Sequence, residues 1–193
     1  VDKRFGATFN LSDKYMSNWK SDMLVLLFDD CSNEKAQFVE RPPTRAIIDV
    51  INNQMYYANK AELDAKGKCF VEPWLVMATT NKKDLDAGCY SNCPYSIQRR
   101  LVCFTVRAKK EFQRKVDGVY CGIDSAKVRE FYTGEDGVEI YRPFDDIWEV
   151  DIEYAKKPQK LSTVAKYAPV IWDGREMRNI DMATAIQWSI EQF

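Results

Sequence analysis

Met23-Leu-Val-Leu-Leu-Phe-Asp-Asp30 sets six apolar residues directly ahead of two carboxylates. A continuous run of this kind, rich in Leu and Val, suits a central parallel strand covered on both faces. Open parallel sheets bind ligands just beyond the carboxyl ends of their strands, where Asp29 and Asp30 fall. The string has the form of a Walker B motif. In that reading Asp29 holds Mg²⁺, directly or through water, and Asp30 orients or deprotonates an attacking water. A core strand that ends in an acidic turn has the same string, so the surrounding sequence decides.

Trp74-Leu-Val-Met-Ala-Thr-Thr-Asn81 repeats the pattern, an apolar run delivering one polar residue. The Asn81 amide can hold a γ-phosphate or the attacking water, and an Asn after a strand is also an ordinary turn former. Arg99 and Arg100 stand immediately before a third apolar run, residues 101–106, and are candidates for arginine fingers. Such planar cations stabilise charge on a transferring phosphoryl group. Residues 54–58 and 69–71 read as two short strands around a polar stretch, 59–68. Its Lys60, Lys66 and Lys68, with Gly67 among them, either touch a phosphate backbone or are only solvated.

The 193 residues carry a formal net charge of −1, so there is no global basic footprint and nucleic-acid contact must come from local patches. No apolar stretch approaches the roughly 18 residues of a spanning helix, and no amino-terminal signal pattern is present. A soluble, cytoplasmic chain is the expectation. Six cysteines are too dilute for a disulfide scaffold. Cys89, Cys93, Cys103 and Cys121 are separated by three, nine and seventeen residues, one close pair only, which argues against zinc. Histidine is absent, which excludes His-dependent triads, Cys-His dyads and His metal sites. Catalysis by this chain must use carboxylates, Arg, Lys, Asn or a metal.

Elsewhere, residues 7–10 suit a short strand, and Ser12 or Asp13 can cap a brief helix over 15–19. Arg41-Pro-Pro-Thr44 starts a helix with the face Ile47, Ile48, Ile51 and Met55. Residues 82–94 read as a long polar loop. Five of the nine residues 107–115 are basic, either a solvated helical face or an RNA-facing patch. Asp124 or Ser125 caps a short helix through Val128, Phe131 and Tyr132 that Gly134 and Gly137 close. Residues 147–154 alternate, with Val150, Ile152 and Tyr154 opposite Glu149, Asp151 and Glu153, as in a half-exposed strand. Residues 156–162 suit a mobile loop, and 170–177 a hairpin turning at Asp173-Gly174. The end, 181–193, is an amphipathic helix with Met182, Ala185, Ile186, Ser189, Ile190 and Phe193 on its apolar face, packing on its own domain or docking into a neighbour.

The order of these pieces resembles the superfamily 3 helicases, AAA+ type ATPases, of picornavirus-like viruses, and is most similar to their dicistrovirus-like branch. Residues 13–19, Leu26-Leu-Phe-Asp-Asp30, Leu63-Asp-Ala-Lys-Gly67, Ala78-Thr-Thr-Asn81, Leu85-Asp-Ala87 and residues 90–100 carry the likeness, which is firm over 13–106 and looser beyond. It implies an α/β chain: a partial AAA+ core over 1–115 with motifs B and C and the fingers, then a carboxyl-terminal subdomain over 116–193 with strands, a hairpin and a terminal helix used for oligomerisation or packing. Asp29 and Asp30 match motif B, Asn81 matches the motif C sensor, and Arg99 and Arg100 match fingers that act on ATP in the adjacent subunit of a ring. Lys66 and Lys68 fall where the family has a substrate-contacting segment.

The resemblance further implies ATP and Mg²⁺ as cofactors and RNA as substrate. The expected partners are further copies in a ring, a hexamer by analogy, and other viral replication proteins. Its setting would be the host cytoplasm at membrane-associated replication sites, with membrane contact made by a region upstream. One departure bears on activity: motif A, Gly-x-x-x-x-Gly-Lys-Ser/Thr, is missing, since Cys69 follows Gly67-Lys68 and position 62 is Glu. The expectation is a start placed after that loop, in a polyprotein-derived helicase, and a chain that alone hydrolyses essentially no ATP. The competing expectation is an ATPase-like scaffold that binds RNA and oligomerises without turnover.

Overall fold

The computed structural model describes residues 4–52, 54–141 and 147–192. Two compact units form, one from residues 1–100 with 157–165, the other from 101–156 with 166–193. No helix among the described residues is long and apolar enough to cross a membrane.

In the first unit, β1 (Gly6–Asn10), β2 (Val25–Cys31) and β3 (Leu75–Thr80) make a parallel sheet in that order. The apolar run earns the central place: Leu26 and Phe28 are fully buried, and the Phe28 ring meets Phe9 edge-on at 5.9 Å. This is the α/β class that the sequence implies, a parallel sheet of the partial AAA+ kind. α1 (Pro43–Ile51) crosses between β2 and β3 and buries Ala46, Ile47 and Val50. It closes where the Asn52 N–H bonds to the Ile48 carbonyl, so Met55 lies beyond its end and is exposed rather than on its apolar face. The expected helix over 15–19 does not form. The segment makes a single turn, the Trp19 N–H bonding to the Met16 carbonyl at 3.2 Å, and the carbonyls of Met16, Ser17 and Trp19 converge on the Lys60 ammonium.

Residues 54–58 and 69–71 meet in a single antiparallel bridge, Tyr57 to Phe70. The stretch read as a long polar loop holds a short helix, α2 (Ala87–Tyr90), with Leu85 and Ala87 buried at its start. α3 (Tyr95–Gln98) follows, and its fully buried Gln98 amide accepts from the Ala165 N–H at 2.8 Å and donates to its carbonyl at 3.3 Å. Those two bonds tie Ala165, three residues past the stretch expected as a mobile loop, into this unit.

The second unit begins with β4 (Val102–Ala108), which pairs antiparallel with β7 (Trp148–Ala155) rather than joining the parallel sheet. The division between units therefore falls before β4, earlier than a boundary after Lys115. Between these strands lie the hairpin β5 (Gln113–Val116) and β6 (Val119–Ile123), then α4 (Ser125–Phe131), whose Asp124 carboxylate accepts from the Ala126 and Lys127 amides. The basic stretch 107–115 is thus the end of β4, a 3₁₀ turn over Lys110–Phe112 and the start of β5, not an α-helical face. After β7 come β8 (Tyr167–Pro169), the hairpin β9 (Ile171–Trp172) and β10 (Arg175–Glu176), β11 (Ile180–Asp181) and α5 (Met182–Glu191). Asp173 and Gly174, both at positive φ, make the turn expected of an Asp-Gly pair. Val150 and Ile152 of β7 form one core with Met177, Ala185 and Trp188. α5 thus packs on its own unit through Ala185 and Trp188, and leaves Ile186 and Ile190 exposed. Phe193, assigned to the same face, lies outside the described residues.

The acidic side of β7 departs from expectation, since Asp151 and Glu153 are buried rather than solvated. Glu153 pairs with Arg178 at 4.0 Å, and Asp151 is held by Arg107. Arg107 donates through Nε to Glu149 at 2.7 Å, through Nη1 and Nη2 to the two Asp151 oxygens at 2.8 and 2.9 Å, and through Nη2 to the Asn179 amide oxygen at 2.6 Å. Arg107→Met strands two partly buried carboxylates and is expected to lower the stability of this unit by about 3–5 kcal/mol in denaturant unfolding. The double variant Arg107→Met, Asp151→Leu recovers much of that loss, and an unchanged unfolding midpoint in the single variant would contradict the assignment. The same bond from Arg107, helped by the Asn179 amide against the opposing effect of burial, holds the Asp151 carboxyl below its ordinary 3.8. The folded state binds that proton more weakly than the unfolded one. This stabilisation is complete above the ordinary value and disappears as pH falls through the depressed one.

Candidate active site

The carboxyl ends of β2 and β3 lie side by side, and their register is broken at the point of interest. Pairing runs regularly from Val25 with Leu75 to Phe28 with Ala78 and resumes at Cys31 with Thr80, so Asp29 and Asp30 together oppose Thr79. Asp30 takes the left-handed conformation at φ 53° and Ser32 does so at φ 62°. That backbone costs a residue with a side chain on the order of 1–2 kcal/mol, and such outliers gather where a side chain must be re-aimed.

One hydroxyl ties the two aspartates together. Thr79 Oγ1 donates to Asp29 Oδ1 at 2.7 Å and accepts from the Asp30 N–H at 2.8 Å. A second chain of bonds joins the two strand ends: Asn33 Nδ2 donates to Asp30 Oδ2 at 2.5 Å, and Asn81 Nδ2 donates to Asn33 Oδ1 at 3.2 Å. The structure therefore brings Asp29, Asp30 and Asn81 together, through Thr79 and Asn33. Neither intermediary stands out in the sequence. Thr79 is signalled only by the polar turn-over of an apolar strand at Thr79-Thr80, and Asn33 by its place three residues after Asp30.

The donors here are hard oxygens, two exposed carboxylates and a hydroxyl, the set that suits Mg²⁺. Among the described residues no three acidic or thiol side chains converge as a self-sufficient metal centre. An ion at this place would be completed by water or phosphate oxygens, as Mg²⁺ in nucleotide sites is. Cys31, buried beneath the pair, is no competing nucleophile, because burial and then the Asp29 and Asp30 charges push its thiol up to about 11. The Ser32 hydroxyl is buried with no hydrogen-bond partner among the described residues.

Arg99 and Arg100 follow α3 and are exposed. Arg100 Nη1 donates to the Ser96 carbonyl, whereas the Arg99 side chain has no hydrogen bond or ion pair among the described residues. Neither bonds to the acidic pair there. The three lysines separate. The Lys60 ammonium donates to the Met16 and Ser17 carbonyls at 3.0 Å each and to Trp19, which uses all three of its protons on the fold and removes it from the RNA-contact set. Lys66 and Lys68 stay exposed around Gly67, whose φ of 69° favours glycine while a Cβ there would meet nothing within 4 Å.

Residues 2–82 match the family model of RNA helicases. The match spans the whole parallel sheet and takes in Asp29, Asp30, Asn33, Thr79 and Asn81, ending ahead of Arg99 and Arg100. No curated protein matches the chain.

Proposed function

From the RNA helicase match over residues 2–82 as premise, we propose that the chain is the motif B, motif C and finger-bearing part of a viral RNA helicase of superfamily 3, an NTPase of dicistrovirus-like type. The observation that carries the reading is the bonded junction of two parallel strand ends, Asp29 and Asp30 to Thr79, and Asp30 to Asn81 through Asn33. Asp29 and Thr79 would hold Mg²⁺, which when bound neutralises charge on the β- and γ-phosphates. Asp30, kept in place by Asn33, offers a carboxylate oxygen to the proton of an attacking water. Asn81 reaches the same water or the γ-phosphate by exchanging its bond to Asn33 for one to the ligand. Arg99, with its side chain free, is fitted to act on ATP held by a neighbouring copy, so turnover depends on assembly into a ring. RNA is the substrate, and replication sites in the host cytoplasm, with other viral proteins, are the setting.

The second reading is an RNA-binding and oligomerising scaffold without turnover, and whether a Gly-x-x-x-x-Gly-Lys-Ser/Thr stands ahead of residue 1 separates the two. The test joins such a segment ahead of residue 1 and measures ATP turnover with and without RNA. Mg²⁺-dependent turnover in the extended chain, absent from residues 1–193 alone, is the expected result. RNA binding without turnover in the extended chain overturns the enzyme reading for the scaffold.

A further inference from the structure

The β5–β6 hairpin of the second unit lies wholly outside the helicase match. Its root is fixed: Phe112 and Ile123 pack in a core with Ala108 and Ile147, and the Asp124 N–H bonds to the Phe112 carbonyl at 2.9 Å. Its outer part is solvated on both faces, with Val116, Val119 and Tyr120 exposed by 52%, 68% and 48%, although two isolated strands gain little stability from such residues. The turn Asp117-Gly118 is at positive φ in both positions, which rigidifies the tip.

Register decides what the two faces offer. Lys115 stands directly opposite Tyr120, so a cation and an open aromatic ring share one face, and Arg114 stands opposite Gly122, which has no side chain to cover it. Gly122 is at φ 125° in the bulged strand, and a Cβ there would meet nothing within 4 Å, so conformation rather than crowding requires glycine. The side chains of Lys110, Arg114 and Lys115 make no hydrogen bond or ion pair among the described residues. From 107 to 129 the chain has seven basic residues against three acidic ones, in a protein of net charge −1, and of the seven Arg107 is held by Glu149 and Asp151. Among the three acids, Asp124 is spent on the α4 cap.

We propose that this hairpin is a contact for single-stranded RNA, with Tyr120 stacking on a base, Lys115 of the same face holding one adjacent phosphate and Arg114 reaching a second from the opposite face. An aromatic platform beside unpaired cations is how sequence-tolerant single-strand binding is built. The charge complementarity favours a polyanion over a protein partner for the apolar tip. The inference rests on RNA being the substrate of the proposed function and adds a site to it.

The test uses residues 1–193 and a labelled oligouridine, with affinity followed by anisotropy across a salt series. Tyr120→Ala is expected to weaken binding about tenfold while Tyr120→Phe retains it. Arg114→Gln with Lys115→Gln lowers the slope of log K against log salt by about 1.4, at roughly 0.7 per phosphate contact on a single strand. Unchanged melting shows that these exposed positions have not unfolded the chain. Unaltered affinity and slope in all hairpin variants, with binding lost on Lys66→Gln, Lys68→Gln, overturns this site and leaves the helicase reading standing. Hairpin variants that alter self-association but not RNA affinity overturn it in favour of a protein contact. No binding by the unsubstituted chain overturns it together with RNA as the substrate.

Discussion

Arg99→Ala with Arg100→Ala, in a chain completed by a phosphate-cradling loop, is expected to lower ATP turnover by about 10³ to 10⁵ with little change in stability. The magnitude follows from what a guanidinium does in phosphoryl transfer. Charge spreads over the equatorial oxygens as the bond to the leaving group loosens, and a planar cation held against them acts mainly at that moment. The stability expectation follows from the structure, since Arg99 is exposed with no bonded partner among the described residues and Arg100 bonds only to a backbone carbonyl of its own helix. Neither touches the acidic pair in its own chain, which is the arrangement an intersubunit finger requires. Steady-state turnover beside a melting curve checks both halves. A loss below tenfold would remove the arginines from the chemistry.

Asp30→Asn in the same extended chain is expected to cut turnover by about 10² to 10⁴ while ATP binding is largely kept. An amide of nearly the same shape can still bond to Asn33 and keep the bulge, but it cannot accept a proton from water. The backbone around Asp30 is left-handed and tied to Thr79, and Asn tolerates that conformation as well as Asp does, so the fold is not the readout. Binding of labelled ATP measured beside turnover separates the two effects. Equal loss of both would mean that Asp30 holds the metal rather than the water.

How much of this was legible depends on the range of each signal. The apolar runs ending at Asp29 and Asn81 specify buried parallel strands, and strand direction alone then places those polar residues at one end of the sheet. The bulge that sets two aspartates against Thr79 is a matter of register between strands 49 to 50 positions apart, and no local pattern records it. Charge alone does not reveal that the Lys60 ammonium caps the carbonyls of a turn more than 40 positions earlier. The alternation over 147–154 does not translate into burial, since Tyr154 is exposed while Asp151 and Glu153 are buried, and the cations facing those acids, Arg107 and Arg178, stand 44 and 25 positions away. The Asp173-Gly174 turn and the Asp124 cap are legible because Asp-Gly and Asp-Ser act within a few residues, whereas the hairpin at Asp117-Gly118 goes unread although it carries the same pair.

The most direct measurement mixes the two inactive extended chains, Asp30→Asn with intact arginines and Arg99→Ala, Arg100→Ala with an intact acid, and follows ATP turnover against mixing ratio. A site built from the β2 and β3 ends of one copy and completed by the arginines of the next predicts recovered hydrolysis in the mixture, highest near equal proportions. Mixtures that stay as inactive as their components would contradict it.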